Sequence, residues 1–270
     1  MRLLASFALA FGALIASWTA TAAPVPQNDE AKSFIVGNTV FTLYHELGHA
    51  LVHELDLPVL GREEDAVDNL ATILMIPDDD QPELLEPLLG AARGWMLAHQ
   101  MQQQEGEEMA FWDEHGLDMQ RYYSIVCLLY GSDPDSFEEL ADAAELPDYR
   151  RESCSGNYEQ VVQSWATVLD PYFAEDNKGG AKVNVRFAAP PRNYRHLAQI
   201  LKESHVVTDI AKEIQTSFKL PRQLTVKVDT CDGDANAFFD PEDHSVTVCY
   251  ELVEMFADMS EMDLESDDEE

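Results

Sequence analysis

Apolar residues recur along most of the chain at spacings of three and four, the period of a helix with an inward face. They predict a helix through FTLYHELGHALV, where Val40, Phe41, Leu43, Tyr44, Leu47, Ala50, Leu51 and Val52 leave little polar surface. A helix apolar on several sides is a buried one. A second helix starts near Arg62 and carries the stripe Val67, Leu70, Ala71 and Leu74. Asp78-Asp79-Asp80-Gln81-Pro82 reads as a turn, and Leu84, Leu85, Leu88, Leu89, Ala92, Trp95 and Met96 mark a third helix, from Glu83 to Gln104. A loop follows from Gly106 to Glu114. The next helix, Leu117 to Tyr130, turns Met119, Tyr122, Tyr123, Val126 and Leu129 inward, and Asp135 to Phe173 is helical again except at LPDYRRESCSG.

After Asn177-Lys178-Gly179-Gly180, a linker, alternation replaces the helical period. Lys182 to Phe187 and Gln223 to Val228 read as strands, with one or two helices between Arg195 and Phe218. Ala237-Phe238-Phe239 and Ser245 to Cys249 form a hairpin around a turn at Asp240 to His244. The expected fold is α+β and mainly helical. A helical part, 23–177, is built around the buried helix, and an α+β part, 181–258, supplies a small antiparallel sheet.

The first residues alter the picture of where the chain works. Met1-Arg2, an apolar run from Leu3 to Ile15 and Ala20-Thr21-Ala22 make a cleavable export signal, 1–22. The run is too short to span a bilayer, and no cysteine follows the cleavage site to carry a lipid. A periplasmic or secreted protein is expected. Its four cysteines then imply disulfides. Of the three possible pairings, Cys127–Cys154 with Cys231–Cys249 keeps each bridge inside one structural block. The charge is strongly acidic, 51 Asp and Glu against 17 Lys and Arg, formally −34. Nucleic acid and anionic membrane surfaces are excluded as partners, since both need a basic patch. A solvated acidic surface is the simplest use of so much charge, and the run 259–270 reads as a disordered acidic tail.

The chemistry sits in the buried helix. HELGH sets His45 and His49 one turn apart on one face, the spacing two imidazoles need to hold one zinc ion, with Glu46 beside them to polarise a water. Two histidines and a carboxylate inside an apolar helix need partners, and a metal supplies them. Val52 and Leu55 exclude a metzincin third ligand. His53 lies about 12 Å along the axis from His45, too far to share one ion. The third ligand therefore comes from the second helix, where Glu64 flanks the apolar stripe and Asp68, one turn on, accepts the N–H of a ligand histidine. Glu63 is a possible substitute for Glu64. Peptide hydrolysis also needs a donor facing the developing oxyanion, and His115, oriented by Asp113, and Tyr123 are the candidates. No G-x-S-x-G and no convincing Cys/His pair supports a nucleophilic alternative.

HELGH followed by Glu64-Asp65-Ala66-Val67-Asp68 resembles the gluzincin metallopeptidases, thermolysin among them, whose second helix carries Glu-x-x-x-Asp. HELGHALV, LPVLGREEDAVD, QRYYSIVCLLYGSDP, NAFFDP and CYEL are similar over nearly the whole mature chain to a bacterial family of secreted metallopeptidases, known mainly as a domain of unknown function. That resemblance implies zinc and peptidase chemistry. Asn236-Ala237-Phe238-Phe239 is also similar to the substrate-binding edge strand of neprilysin-like gluzincins, which implies that Asn236 and Ala237 bind substrate backbone. There the strand precedes the zinc helix, whereas here it follows, as in a permuted chain.

The expected function is a metallopeptidase with one zinc per chain, held by His45, His49 and Glu64, acting on peptide or protein substrates with Glu46 as general base. The alternative is a non-catalytic zinc-containing binding module of the cell envelope; a metal-free helical scaffold is a third reading.

Overall fold

The computed structural model describes residues 29–77, 84–106, 108–174 and 179–267. The export signal at 1–22, the turn at 78–82 and the linker residues Asn177 and Lys178 lie outside them. Six helices come first: α1 (Asp29–Glu54), α2 (Glu63–Met75), α3 (Leu85–Glu105), α4 (Asp118–Ser132), α5 (Glu138–Ala143) and α6 (Asp148–Leu169). Then follow β1 (Val183–Phe187), α7 (Arg195–Glu203), α8 (Val206–Ser217), β2 (Leu224–Asp229), β3 (Ala237–Asp240), β4 (Ser245–Cys249) and α9 (Tyr250–Asp267). The fold is α+β and mainly helical. No helix among the described residues is long and apolar enough to cross a membrane.

The apolar residues of α1 account for its central place. Phe34, Ile35, Leu43, Leu47 and Leu51 are fully buried, each side chain contributing about 1.5–3 kcal/mol on leaving water. The helix packs on α2 and α3, on α7, α8 and α9, and on β3 and β4. One hydrophobic cluster runs from Phe34 through Val67 and Leu88 to Val226, Val248 and Met259, so both halves of the chain share a core. Polar links reinforce it: the Asn38 amide donates to the Gly90 carbonyl at 3.1 Å, and the Tyr44 hydroxyl bonds Glu213 on α8 at 2.8 Å.

The sheet corrects one expectation. Its order is β1-β2-β4-β3, with β1–β2 and β2–β4 parallel and only β3–β4 antiparallel. The sheet is mixed because α7 and α8 form a crossover between β1 and β2, which brings the chain back in the same direction. Only the β3–β4 hairpin, with Phe239 opposite Val246, reverses it. β3 is thus one of two edge strands, and it is the one that lies against α1.

Two other local expectations change. The predicted interruption at LPDYRRESCSG is confined to Leu146-Pro147: Pro147 precedes the first turn, where its missing N–H costs nothing, and α6 then runs unbroken from Asp148. Arg151 holds that start by bonding the Leu146 carbonyl and Asp142, both at 2.7 Å. The acidic end is not a disordered tail as far as Asp267, because α9 continues through it and buries Met259 and Ser260. Apolar positions on its inner face outweigh the charge of the other residues. The disulfides are Cys127–Cys154, joining α4 to α6, and Cys231–Cys249, joining the loop before β3 to β4, the expected pairing. At the first, Gly131 lets α4 approach so closely that a Cβ there would strike the Cys154 carbonyl.

A second close approach bears on the site. Gly48, inside HELGH, faces Val67, and an added Cβ would stand 2.9 Å from that side chain. Gly48→Ala should therefore push α2 away from α1, at about 1–3 kcal/mol of overpacking, and weaken metal binding by moving Glu64. Gly156→Ala, where nothing lies within 4 Å, is the control. Melting and zinc titration of both variants check this; an unaltered zinc affinity in Gly48→Ala would contradict it.

Candidate metal centre

Three elements converge on one oxygen. Glu64, in the first turn of α2, turns its Oε2 to 3.1 Å from His45 Nε2 and 3.3 Å from His49 Nε2, both on α1. The two Nε2 atoms are 3.2 Å apart. His115, on the loop before α4, brings its Nε2 to 3.0 Å from the same oxygen. Glu63 does not share this position; its Oε1 lies 2.8 Å from His49 Nδ1.

Each imidazole is held from behind. His45 Nδ1 lies 2.7 Å from Asp68 Oδ1, His49 Nδ1 pairs with Glu63, and His115 Nδ1 lies 3.0 Å from Asp113, which also accepts the His115 backbone N–H. A carboxylate is an acceptor only, so each Nδ1 carries the hydrogen and each neutral ring presents a lone pair at Nε2. With the rings neutral, three lone pairs surround a buried carboxylate oxygen that has no donor, and a cation, or protons taken up by the rings, must offset their repulsion. A tetrahedral zinc with bonds of about 2.0–2.1 Å separates its donors by about 3.3–3.4 Å. The spacings among His45, His49 and Glu64, 3.1–3.3 Å, are close to that, and His45, Glu64 and His115 likewise bring their donor atoms near enough together to hold an ion. The residues fit the ion.

Electrostatics follow from the same crowding. In the metal-free chain burial opposes ionisation of Glu64, but His115, His45 and His49, once protonated at Nε2, outweigh it and hold the carboxyl far below the usual carboxylate range. Burial also disfavours the His49 imidazolium, yet Glu64 and Glu63 prevail and push it up to about 9. Desolvation by burial raises Glu46, against the two neighbouring imidazoles. The Phe239 backbone N–H of the edge strand, near the Glu46 carboxylate, opposes that rise as well.

A pH dependence follows for the metal-free chain. Because His49 is raised in the folded state, its contribution to stability is complete below about pH 6.5, the ordinary histidine value. That contribution is lost as pH rises through about 9. The wild type should therefore lose melting temperature relative to His49→Asn over that window, and zinc uptake near neutral pH should release protons. Thermal melts of both proteins and titrations in two buffers of different ionisation enthalpy measure this. A constant wild-type-to-variant difference would contradict it.

Asn236 and Ala237 line the cavity that also contacts His45, Glu46 and His115. Tyr123 does not; it packs against Tyr122, 5.0 Å between ring centroids, in a small cluster with Val126 and Cys127. Two positions along a helix turn about 200°, so α4 presents Arg121 to the site instead. Arg121 was not singled out from sequence. Its Nε and one terminal nitrogen each lie 2.6 Å from Asp68, and its guanidinium stacks 3.5 Å over Trp95. One signal pointed to it: an arginine on an otherwise apolar helix needs a carboxylate, and a buried Asp68 needs a cation. The Phe239 N–H carried no sequence signal, since every residue but proline has one. His53 lies beside the Phe239 ring at 5.6 Å, and His244 pairs with buried Glu54 at 2.8 Å.

No curated protein and no solved structure shows a significant match to the chain. One family does match, over residues 14–169 and 188–270, most of the length and both halves that build the centre, and the chain belongs to it: the family described as "Putative metallopeptidase".

Proposed function

We propose that the protein is an exported zinc metallopeptidase. The observation that carries this reading is the convergence of His45 Nε2, His49 Nε2 and Glu64 Oε2 at 3.1–3.3 Å, each histidine fixed behind by a carboxylate. Zinc held by these three residues would supply Lewis acidity, acidifying a water and polarising a peptide carbonyl.

The remaining roles belong to the chain. Glu46, raised by burial, accepts the proton of the attacking water and returns it to the leaving amine. His115, with Nδ1 fixed by Asp113, directs Nε2 toward the carbonyl oxygen as it becomes an oxyanion. Asp68 and Arg121 hold His45 in the tautomer that leaves Nε2 free. β3, with no strand on its outer edge among the described residues, offers Ala237, with Asn236 just before it, to the backbone of an extended peptide, as strand addition requires. A non-catalytic zinc module would need neither Glu46 nor an open edge beside the metal. Both disulfides suit an oxidising compartment.

The test is metal analysis beside peptide digestion, wild type against Glu46→Gln. Metal-dependent cleavage lost in the variant is expected. Cleavage that survives chelation would overturn the proposal.

A further inference from the structure

Where α1 ends, it buries a carboxylate that the proposed reaction does not use. The Glu54 side chain is 1% exposed. Its Oε1 accepts the His244 Nδ1–H at 2.8 Å, and Arg222 Nε lies 2.7 Å from Oε2 as an ion pair, without the N–H pointing at that oxygen. His244 Nε2 in turn faces the Arg222 guanidinium at 3.5 Å. The carboxylate thus joins the end of α1 to the turn between β3 and β4 and to the approach to β2. We propose that Glu54 is a positioning residue: acting through His244, it fixes the place of the edge strand β3 along α1, and with it the place of an extended peptide relative to the metal. This rests on the metallopeptidase reading and concerns how that site holds its substrate.

The contacts between strand and helix follow one line. His53 and Glu54 come about two turns after Glu46 on α1, so the three side chains leave the same side of the helix. The Phe239 N–H stands near Glu46, the Phe239 ring lies 5.6 Å from the His53 ring, and His244 closes the row at Glu54. Ala237, at the start of the same strand, lines the cavity that Glu46 lines. The backbone at residue 244 shows that the imidazole itself matters. His244 has φ 49°, in the left-handed region where a hairpin most easily takes glycine. A side chain there costs about 1–2 kcal/mol, yet the chain carries a histidine whose ring reaches Glu54. The turn does not need that ring for its own shape. Asp240 Oδ1 accepts the N–H groups of Glu242 and Asp243 at 2.8 and 3.2 Å, and the His244 carbonyl accepts the Thr225 N–H at 3.0 Å. Desolvation offsets most of what a buried ion pair gains, and fixing one arrangement against its neighbours is the best-attested use of such a pair.

The test uses the whole mature chain. His244→Gly keeps the turn and removes the imidazole, Glu54→Ala removes the carboxylate, and Glu54→Gln still accepts the His244 N–H. Hydrogen exchange at the Phe239 amide should run about 10- to 100-fold faster in His244→Gly and Glu54→Ala, as loss of one hydrogen bond to a charged group allows. The Val226 amide in β2 should be unchanged, and Glu54→Gln should stay close to the wild type. Acceleration at Phe239 and Val226 alike, or at neither, overturns the proposal. With zinc bound, N-acetyl-tetra-alanine hydroxamate should bind His244→Gly about tenfold more weakly than the wild type, as when the competent arrangement is populated about a tenth of the time. Acetohydroxamate, which has no peptide chain to lay on β3, should bind both proteins equally. Equal affinity of the two proteins for the tetra-alanine probe also overturns the proposal. If Glu54→Ala does not fold, His244→Gly decides alone. If neither hydroxamate binds more tightly than its amide, the metallopeptidase reading fails, and exchange at Phe239 still decides whether Glu54 holds the strand.

Discussion

Glu46→Gln is expected to keep its full zinc content and lose about 10²- to 10⁴-fold in kcat, the range for removal of a general base. Glutamine preserves the shape and polarity of the side chain, so the edge strand and α1 keep their relation. It cannot accept a proton. Glu46 is only 8% exposed, and burial raises its carboxyl toward the pH at which it can both take a proton and give one up. The effect should therefore fall on kcat with little change in KM. Activity retained within tenfold would place the base elsewhere, and loss of zinc would make Glu46 a ligand.

Asp68→Ala should cost about 3–5 kcal/mol of stability, as expected when one partner of a buried ion pair is removed. The carboxylate is nearly enclosed, with two bonds from Arg121 at 2.6 Å and His45 Nδ1 at 2.7 Å. Without it the guanidinium, 10% exposed, keeps its stacking on Trp95 but loses its counter-charge. His45 also becomes free to put its hydrogen on Nε2, so metal affinity should fall a further 10- to 100-fold. Asp65→Ala is the contrast. Asp65 pairs with Arg62 at 3.0 Å where both side chains are about half exposed, and its loss should stay within about 1 kcal/mol. Denaturant melts and zinc titration measure both; equal effects at 65 and 68 would show that the Asp68 network is not a structural unit.

What could be read from the chain and what could not divide along a physical line. The candidate centre is dominated by local periodicity. His45, Glu46 and His49 are placed by one helical turn, and Glu64 and Asp68 by the stripe of the next helix. His115 was legible as chemistry more than as position, because an Asp-x-His in a loop shows a held imidazole without showing where it points. The disulfides were legible because each loop stays within its block. Interactions between distant elements were not. Strand direction in the sheet depends on the crossover through α7 and α8, which a string of alternating residues does not reveal. The acidic end has a charge run that argues for solvent, yet Met259 and Ser260 find a buried place against other helices. Arg121 and the Phe239 N–H gain their meaning only when α4 meets α2 and β3 meets α1. The hairpin residues Asn236 and Ala237, although some 190 positions after Glu46, line the same cavity because the halves share one core.

The central claim is that His45, His49 and Glu64 hold one zinc ion, and metal analysis of the purified mature protein tests it most directly. One zinc per chain is expected in the wild type and in Glu46→Gln, and close to none in His45→Ala, His49→Ala and Glu64→Ala when each variant is folded. His115→Ala should keep the ion, since its role lies in the reaction. Full zinc retention in folded Glu64→Ala, or a wild type that takes up no zinc when it is supplied in excess, would contradict the account.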